Sequence, residues 1–255
     1  MKELRDSSAL VVGGTAGIGL ATARQLAAAG VPRIVLVGRN EERGRYAQSV
    51  VQDHGAKVDY LRGNAIDVTS AREIAQQAER ILDGIDILVC STAAEVQPEL
   101  FTDIDTDQIA RIFTHLALPC MHMASAVLPG MRSRRHGVIV NVASDAAKTA
   151  TPGESVIGAA KAGMVMFTRT IAIEEKRHGI RANVLTPSLV HETASTERIT
   201  SDGFSAKLFA KAAQQAHLGV PVADDIAALA VFLCGPTAAK LTGQAISVNG
   251  GISAA

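Results

Sequence analysis

The residues whose spacing most directly suggests chemistry are glycines. An apolar run at 9–12 leads into Val12-Gly13-Gly14-Thr15-Ala16-Gly17-Ile18-Gly19-Leu20, and a helical pattern starts at residue 17. Glycine lets a turn take left-handed backbone angles and lets a ligand approach the main chain closely. A helix that starts immediately afterwards offers free N–H groups and the positive end of its dipole. The spacing is G-x-x-x-G-x-G rather than G-x-G-x-x-G, but the strand, glycine turn and helix supply the context of a diphosphate cradle. Gly13, Thr15, Gly17, Ile18 and Gly19 are the candidate residues of that cradle. The second apolar run ends Val37-Gly38-Arg39-Asn40, which puts Arg39 twenty residues beyond Gly19. An acidic residue at this distance holds the ribose 2′-hydroxyl of NAD, whereas an arginine suits the 2′-phosphate of NADP through charge-assisted bonds. NADP(H) is therefore expected in preference to NAD(H).

Other chemistries are poorly served. Cys90, Cys120 and Cys234 lie far apart without metal-ligand spacing, so no metal is expected, and a sparse odd set reads as reduced thiols in a cytoplasmic protein. Ser144 sits in Val142-Ala143-Ser144-Asp145-Ala146-Ala147, which is not the strained G-x-S-x-G elbow of hydrolases. Lys plus Arg and Asp plus Glu number 25 each, which argues for neither a nucleic-acid nor a membrane-surface partner. Arg132, Arg134, Arg135 and His136 cluster before a strand and read as a solvated helix end placed favourably on its dipole. The first eight residues lack the apolar run of a signal peptide, and no uninterrupted apolar segment reaches the length of a membrane span.

The elements that must position the glycine turn alternate. Seven apolar runs (9–12, 34–37, 58–61, 85–89, 138–142, 182–185 and 245–248) are separated by helical patterns at 17–29, 41–54, 71–82, 109–134, 153–178 and 224–233. Strand–helix alternation implies right-handed crossovers and a parallel sheet covered on both faces. Hydrophobic residues make up 47% and aromatics 3%, so the core must rest on aliphatic side chains, the material of buried parallel strands. No linker or repeat is visible, which predicts one α/β domain over residues 1–255. The region 193–219 is the least regular, polar at first and then helical over 206–217. Because ligands sit beyond the C-terminal ends of the strands in such sheets, the segment 191–219 after the sixth strand is expected to border the site as a substrate lid.

These residues, with several downstream, resemble the short-chain dehydrogenase/reductase family over nearly the whole chain. Gly13, Gly17 and Gly19 match its glycine turn, with Val12 in place of a threonine. Asp67-Val68 is similar to the pair that contacts adenine, and Asp86-Ile87-Leu88-Val89 to the fourth strand. Residues 137–144 resemble the fifth strand ending in the catalytic serine, here Ser144, with Lys161 at the lysine position seventeen residues on. Residues 180–187, ending in Pro187, resemble the sixth strand, with Thr193 beyond it offering a hydroxyl to the nicotinamide carboxamide, and Val248-Asn249-Gly250-Gly251 the usual ending. The resemblance implies a Rossmann-type, doubly wound, seven-stranded sheet, a nicotinamide cofactor, a small ketone or alcohol substrate, and a homodimer or homotetramer packed through the helices around 109–134 and 153–178.

The departures bear on the chemistry. The family's Y-x-x-x-K reads Ile157-Gly158-Ala159-Ala160-Lys161, and the chain's only tyrosines are Tyr46 and Tyr60. Cys90-Ser91-Thr92-Ala93 replaces N-N-A-G, Pro187-Ser188 replaces P-G, and His115 takes the place of the helix-four asparagine. Carbonyl reduction develops negative charge on the substrate oxygen and needs a proton donor there, typically worth about 10²–10⁴ in rate. Ile157 has no proton to give. Lys161, directly or through water, and His115, whose residue type titrates nearest neutrality, are the candidates, with Ser144 orienting the carbonyl. His191, Glu192, Asp145, Lys148 and Glu154 lie on segments that should approach the site and read as solvated loop. Three functions stay open: an NADP(H)-dependent oxidoreductase with an atypical site, a non-catalytic NADP(H)-binding sensor or partner subunit, and a non-redox lyase or hydrolase on the same scaffold.

Overall fold

A computed structural model of the protein describes residues 2–200 and 203–254. Its elements run β1 (Ser8–Val12), α1 (Gly17–Ala28), β2 (Arg33–Gly38), α2 (Glu41–Gln52), β3 (Lys57–Arg62), α3 (Val68–Leu82), β4 (Ile87–Cys90), α4 (Thr106–Arg134), β5 (Gly137–Val142), α5 (Ser155–Glu175), β6 (Ile180–Leu185), α6 (Ala194–Thr200), α7 (Gly203–Gln215), α8 (Ala223–Cys234) and β7 (Ala245–Ile246). The seven strands form one parallel sheet in the order β3-β2-β1-β4-β5-β6-β7. Helices cover both faces, as the alternating pattern and the resemblance predict.

All residues of β1, β5 and β6 are buried, because helices lie above and below them, and this is why those strands read as unbroken apolar runs. Successive side chains point to opposite faces. Leu10, Leu88, Ile139 and Val184 join Leu82, Met123 and Met164 of α3, α4 and α5 in one core. Val11, Leu36 and Val140 join Leu26, Val51 and Leu233 of α1, α2 and α8 in the other. The helices α4 and α5 are long and apolar enough to span a membrane by length and composition alone, and packing of their buried sides against the sheet and each other accounts for that character.

Element boundaries differ from the sequence pattern where a side chain intervenes. Asp67 accepts a hydrogen bond from Ser70 N–H at 2.7 Å, and Asp105 accepts one from Asp107 N–H at 3.1 Å. These caps start α3 at Val68 and α4 at Thr106, three residues ahead of the apolar periodicity. Asp86 binds Lys2 at 2.9 Å and the Ser8 N–H at 3.1 Å, and β4 starts just after it, at Ile87 rather than at 85. Within 191–219 the chain forms α6 and α7, and positions 201 and 202 lie outside the described residues.

Strand order reverses between β1 and β4, whose C-terminal ends therefore open a crevice with crossovers leaving in opposite directions. The candidate site residues collect along that edge.

Candidate active site

The turn after β1 is shaped to keep side chains out. Gly13 has φ +78° and Gly17 φ +49°, both left-handed. A Cβ on Gly13 would overlap the Ser91 carbonyl oxygen beyond β4, and one on Gly19 would overlap the carbonyl oxygen of Gly13 itself. The N–H groups of Gly13 and Gly14 bond the Val37 carbonyl at 3.0 and 3.2 Å and tie the turn to the end of β2. Thr15 fills the space over Gly38, where a Cβ would come 2.6 Å from its methyl. Ile18, half-buried, packs on the core beneath. The residue before α1 is Ala16, which offers no side-chain cap, whereas Asn40, Asp67 and Asp105 cap α2, α3 and α4. The first N–H groups of α1 are thus left for an anion at the sheet edge. Thr193 reaches this spot from the segment after β6, its methyl 3.7 Å from where a Gly17 Cβ would lie. Its hydroxyl oxygen also accepts the Thr196 N–H at 3.2 Å, which starts α6.

Along the edge from α1, β2 delivers Arg39, half-exposed and 3.8 Å from Glu95 in a loose surface pair. Two further arginines, not singled out by the sequence reading, lie alongside. Arg62 ends β3 next to Gly38 in the sheet register, and Arg43 stands in the first turn of α2 behind the Asn40 cap. The β2–β3 pairing is the signal that links Arg62 to Arg39, and a single chain read linearly does not display it. Asp67 spends its carboxylate on the α3 cap, while the Val68 beside it is 43% exposed at the rim.

Past β4 and β5 the site becomes buried and titratable. Ser144 leaves β5 in extended geometry and opens a 3-10 turn, Asp145–Ala147. Its Oγ accepts the Ala146 N–H at 3.3 Å. Asp145 N–H donates to the Pro187 carbonyl at 2.7 Å, joining the ends of β5 and β6. Lys161, on α5, is 7% exposed, and burial lowers its pKa. The neighbouring Cys120, Cys90 and Glu154 oppose that shift. Burial likewise pushes the Cys90 thiol up to about 11 and raises Cys120. The structure therefore brings Ser144, Pro187, Lys161 and Cys90 to one corner, with the glycine turn and Thr193 beside it. His115 sits on α4 with Nδ1 donating to the Arg111 carbonyl at 2.8 Å, a bond within its own helix that leaves Nε2 for other partners. Ile157 is partly buried against the core. Tyr46 is exposed on α2, and the Tyr60 hydroxyl donates to the Gly38 and Asn40 carbonyls at 3.0 and 3.1 Å.

Three residues read from sequence as solvated loop, Asp145, Glu154 and Lys148, are otherwise placed. Asp145 is only 4% exposed, and its carboxylate accepts the Ser253 hydroxyl at 2.7 Å. Glu154 is partly buried and held in pKa well above an ordinary carboxylate. His191 and Glu192 are exposed, and Lys148 is half-buried with its ammonium donating to Ser247 Oγ at 2.8 Å. The segment carrying α6 and α7 lies over the corner. Arg198 reaches the Ala94 carbonyl at 3.3 Å, and Phe204 sits against Gly153.

A sheet whose switch point carries an anion cradle, with a serine and a buried lysine at adjoining strand ends, defines a dinucleotide-dependent oxidoreductase framework. Known proteins agree. The family model described as enoyl-(acyl carrier protein) reductase matches residues 13–253. Nodulation protein G of Rhizobium sp. (strain N33) is 32% identical over 256 residues, covering 99% of either chain. The 3-oxoacyl-(acyl-carrier-protein) reductase of Vibrio cholerae serotype O1 is 31% identical over 252 residues and 98% of either chain. Levodione reductase shares the fold with a TM-score of 0.90 at 24% identity, over 96% of this chain and 97% of its own. The chain belongs to the short-chain dehydrogenase/reductase family, whose members use nicotinamide cofactors on small molecules.

Proposed function

We propose that this protein is an NADP(H)-dependent oxidoreductase of a small ketone or alcohol, working with an atypical catalytic corner. The observation that carries the reading is the uncapped α1 N-terminus behind glycines that tolerate no Cβ, with a buried lysine at the neighbouring corner. The residues present fit a nicotinamide dinucleotide. Amides of Thr15 to Gly19 would hold its pyrophosphate, those of Gly13 and Gly14 being spent on the Val37 carbonyl, with Arg39 on its 2′-phosphate, Val68 on the adenine, Lys161 on the nicotinamide ribose, and Pro187 and Thr193 on the carboxamide side. When bound in reduced form, the dinucleotide supplies a hydrogen with its electron pair to the substrate carbon. The protein's part is to hold the substrate oxygen, exclude water and manage a proton. Ser144 Oγ, which accepts the Ala146 N–H, would donate its own proton to that oxygen. A lowered Lys161 pKa eases transfer of an ammonium proton, and His115, whose Nδ1–H is held by the Arg111 carbonyl, would donate from Nε2 only as the imidazolium.

The atypical element is Ile157, one helical turn before Lys161, where an apolar side chain packs on the core in place of a hydroxyl. The same feature favours the second reading, a cofactor-binding subunit without turnover. The α6–α7 segment serves as the substrate lid in the first reading. Phe113, Met166 and Ile173, exposed on α4 and α5, support assembly through those helices into a dimer or tetramer. The test is NADPH oxidation with a 3-oxoacyl thioester and a panel of small ketones. Turnover that disappears in Lys161→Ala supports the enzyme. NADPH binding without turnover across the panel supports the subunit. Undiminished turnover in Lys161→Ala removes the lysine's role.

A further inference from the structure

Reduction at this corner leaves an oxygen that must be protonated, and Ile157 cannot do it. The inference below rests on the proposed oxidoreductase reading and concerns the group that stands in. Ile157 and Lys161 share a face of α5, and Glu154 is the N-cap residue just before the first turn of that helix, within electrostatic reach of both Lys161 and Asp145. Gly158 lets that helix touch the turn after β5, since a Cβ there would lie 2.8 Å from the Ala146 carbonyl oxygen. Ser144 and Asp145 are thereby pressed toward the same stretch of α5. On the other side, a Cβ on Gly153 would come 2.6 Å from the Phe204 ring and 3.4 Å from Pro98. The Glu99 N–H donates to the Gly153 carbonyl at 2.9 Å. Phe204 and Pro98 therefore roof the residue next to Glu154, Phe204 coming from the segment read as the lid and Pro98 from the connection between β4 and α4.

Among the described residues the carboxyl of Glu154 and the ammonium of Lys161 make no hydrogen bond or ion pair, although Lys161 is 7% exposed. Both are free to serve a ligand. The charged groups facing Glu154 are Asp145 from the 3-10 turn and Lys161 from its own helix. Of their neighbours, Lys148 is engaged with Ser247 and the Glu99 side chain is exposed. Burial first, and then the Asp145 carboxylate, raise Glu154 to about 7 against the opposing pull of Lys161. A carboxyl of that kind holds a proton at neutral pH and can release it.

We propose that Glu154 is the catalytic acid–base of this site, taking the part of the missing tyrosine. In reduction, the carbonyl π bond breaks and its carbon gains a hydrogen with two electrons from the reduced nicotinamide dinucleotide, which is oxidised. The carbonyl oxygen takes the Glu154 proton, and the carboxylate left behind recovers one from water. The sum is ketone, NADPH and a proton giving alcohol and NADP⁺. In the oxidation direction Glu154, as carboxylate, accepts the alcohol proton.

Two readouts test the assignment. The first needs no cofactor: a ¹³C-carboxyl NMR titration of glutamate-labelled protein. One carboxyl is expected to titrate near 7, to be missing in Glu154→Gln, and to move down in Asp145→Asn. A Glu154 signal titrating in the ordinary carboxylate range overturns the proposal. The second is the pH profile of kcat/KM for a 3-oxoacyl thioester with NADPH. Wild-type reduction is expected to fall as pH rises through about 7, with a slope of one proton. Glu154→Gln should flatten that limb and lose about 10²–10⁴-fold in rate while its NADPH Kd stays put. Glu154→Asp, a shorter acid, should recover part of the rate with a displaced limb. Wild-type rate and pH profile in Glu154→Gln overturn this role and leave the oxidoreductase standing. Failure of the wild-type protein to bind NADPH removes the oxidoreductase reading, and this role falls with it.

Discussion

Replacing Arg39 by alanine should separate the two nicotinamide dinucleotides. Arg39 stands just past the end of β2 and pairs with Glu95 at 3.8 Å, with the side chains 54% and 75% exposed. An exposed pair of that geometry is worth about 0–1 kcal/mol, so it competes weakly for the guanidinium. A charge-assisted bond to a phosphate contributes roughly 1.5–3 kcal/mol, or about ten- to hundredfold in affinity. Arg43 and Arg62 stand near and will recover part of the loss, which places the expected weakening of NADPH toward the lower end. NADH has no 2′-phosphate and its affinity should not change. Glu95→Ala should tighten NADPH by at most about fivefold, because it frees the guanidinium from its weak competitor. The assay is fluorescence titration of each reduced dinucleotide at low ionic strength, repeated in added salt to expose the charge contribution. Equal weakening of NADPH and NADH in Arg39→Ala, or no change in either, would refute the assignment of the 2′-phosphate to this side chain.

Other substitutions probe other parts. Gly19→Ala drives a methyl into the Gly13 carbonyl, so nucleotide binding should collapse and stability should fall by about 1–3 kcal/mol in urea titration. Unchanged affinity would show that the turn is not the cradle. Lys161→Met should abolish turnover yet raise the melting temperature at pH 7. Burial lowers the Lys161 pKa, so the unfolded chain binds the extra proton between the folded value and the ordinary 10.5, and wild-type stability is reduced below that window and recovers as pH rises through it. A lower melting temperature for the methionine variant at pH 7 would contradict this. Glu154 has the opposite history, since its raised pKa of about 7 makes the folded state hold a proton from 4.5 upward, so wild-type stability should decline across pH 4.5–7 and Glu154→Gln should lessen that decline. Thr168→Val removes the hydroxyl that accepts from Asn141 Nδ2 at 2.9 Å inside the core, and should cost about 1–3 kcal/mol by leaving that amide unpaired.

The sheet was legible because its strands are buried on both faces, which forces the sequence into aliphatic runs, and the glycine turn because few residues other than glycine accept φ +78° with a carbonyl pressed against the Cα, as at Gly13. Ser144 and Lys161 could be placed through resemblance and then landed at one corner. What the sequence concealed depends on contacts between distant segments. Asp145 looks like a loop acid until Ser253, over a hundred residues on, covers it. Glu154 looks solvated until Phe204 and Pro98 close over Gly153. Arg62 and Arg39 share no linear signal and meet through the β2–β3 register. The starts of α3 and α4 were missed for a local reason: Asp67 and Asp105 extend each helix beyond its apolar stripe by satisfying amide groups that periodicity does not report.

The proposed chemistry requires the amides from Thr15 to Gly19 to grip a dinucleotide diphosphate. Isothermal titration calorimetry of the purified protein with NADPH tests it most directly. One saturable site per chain, lost in Gly19→Ala, is the predicted result. No heat of association with NADPH or NADH, even at millimolar nucleotide, would contradict it.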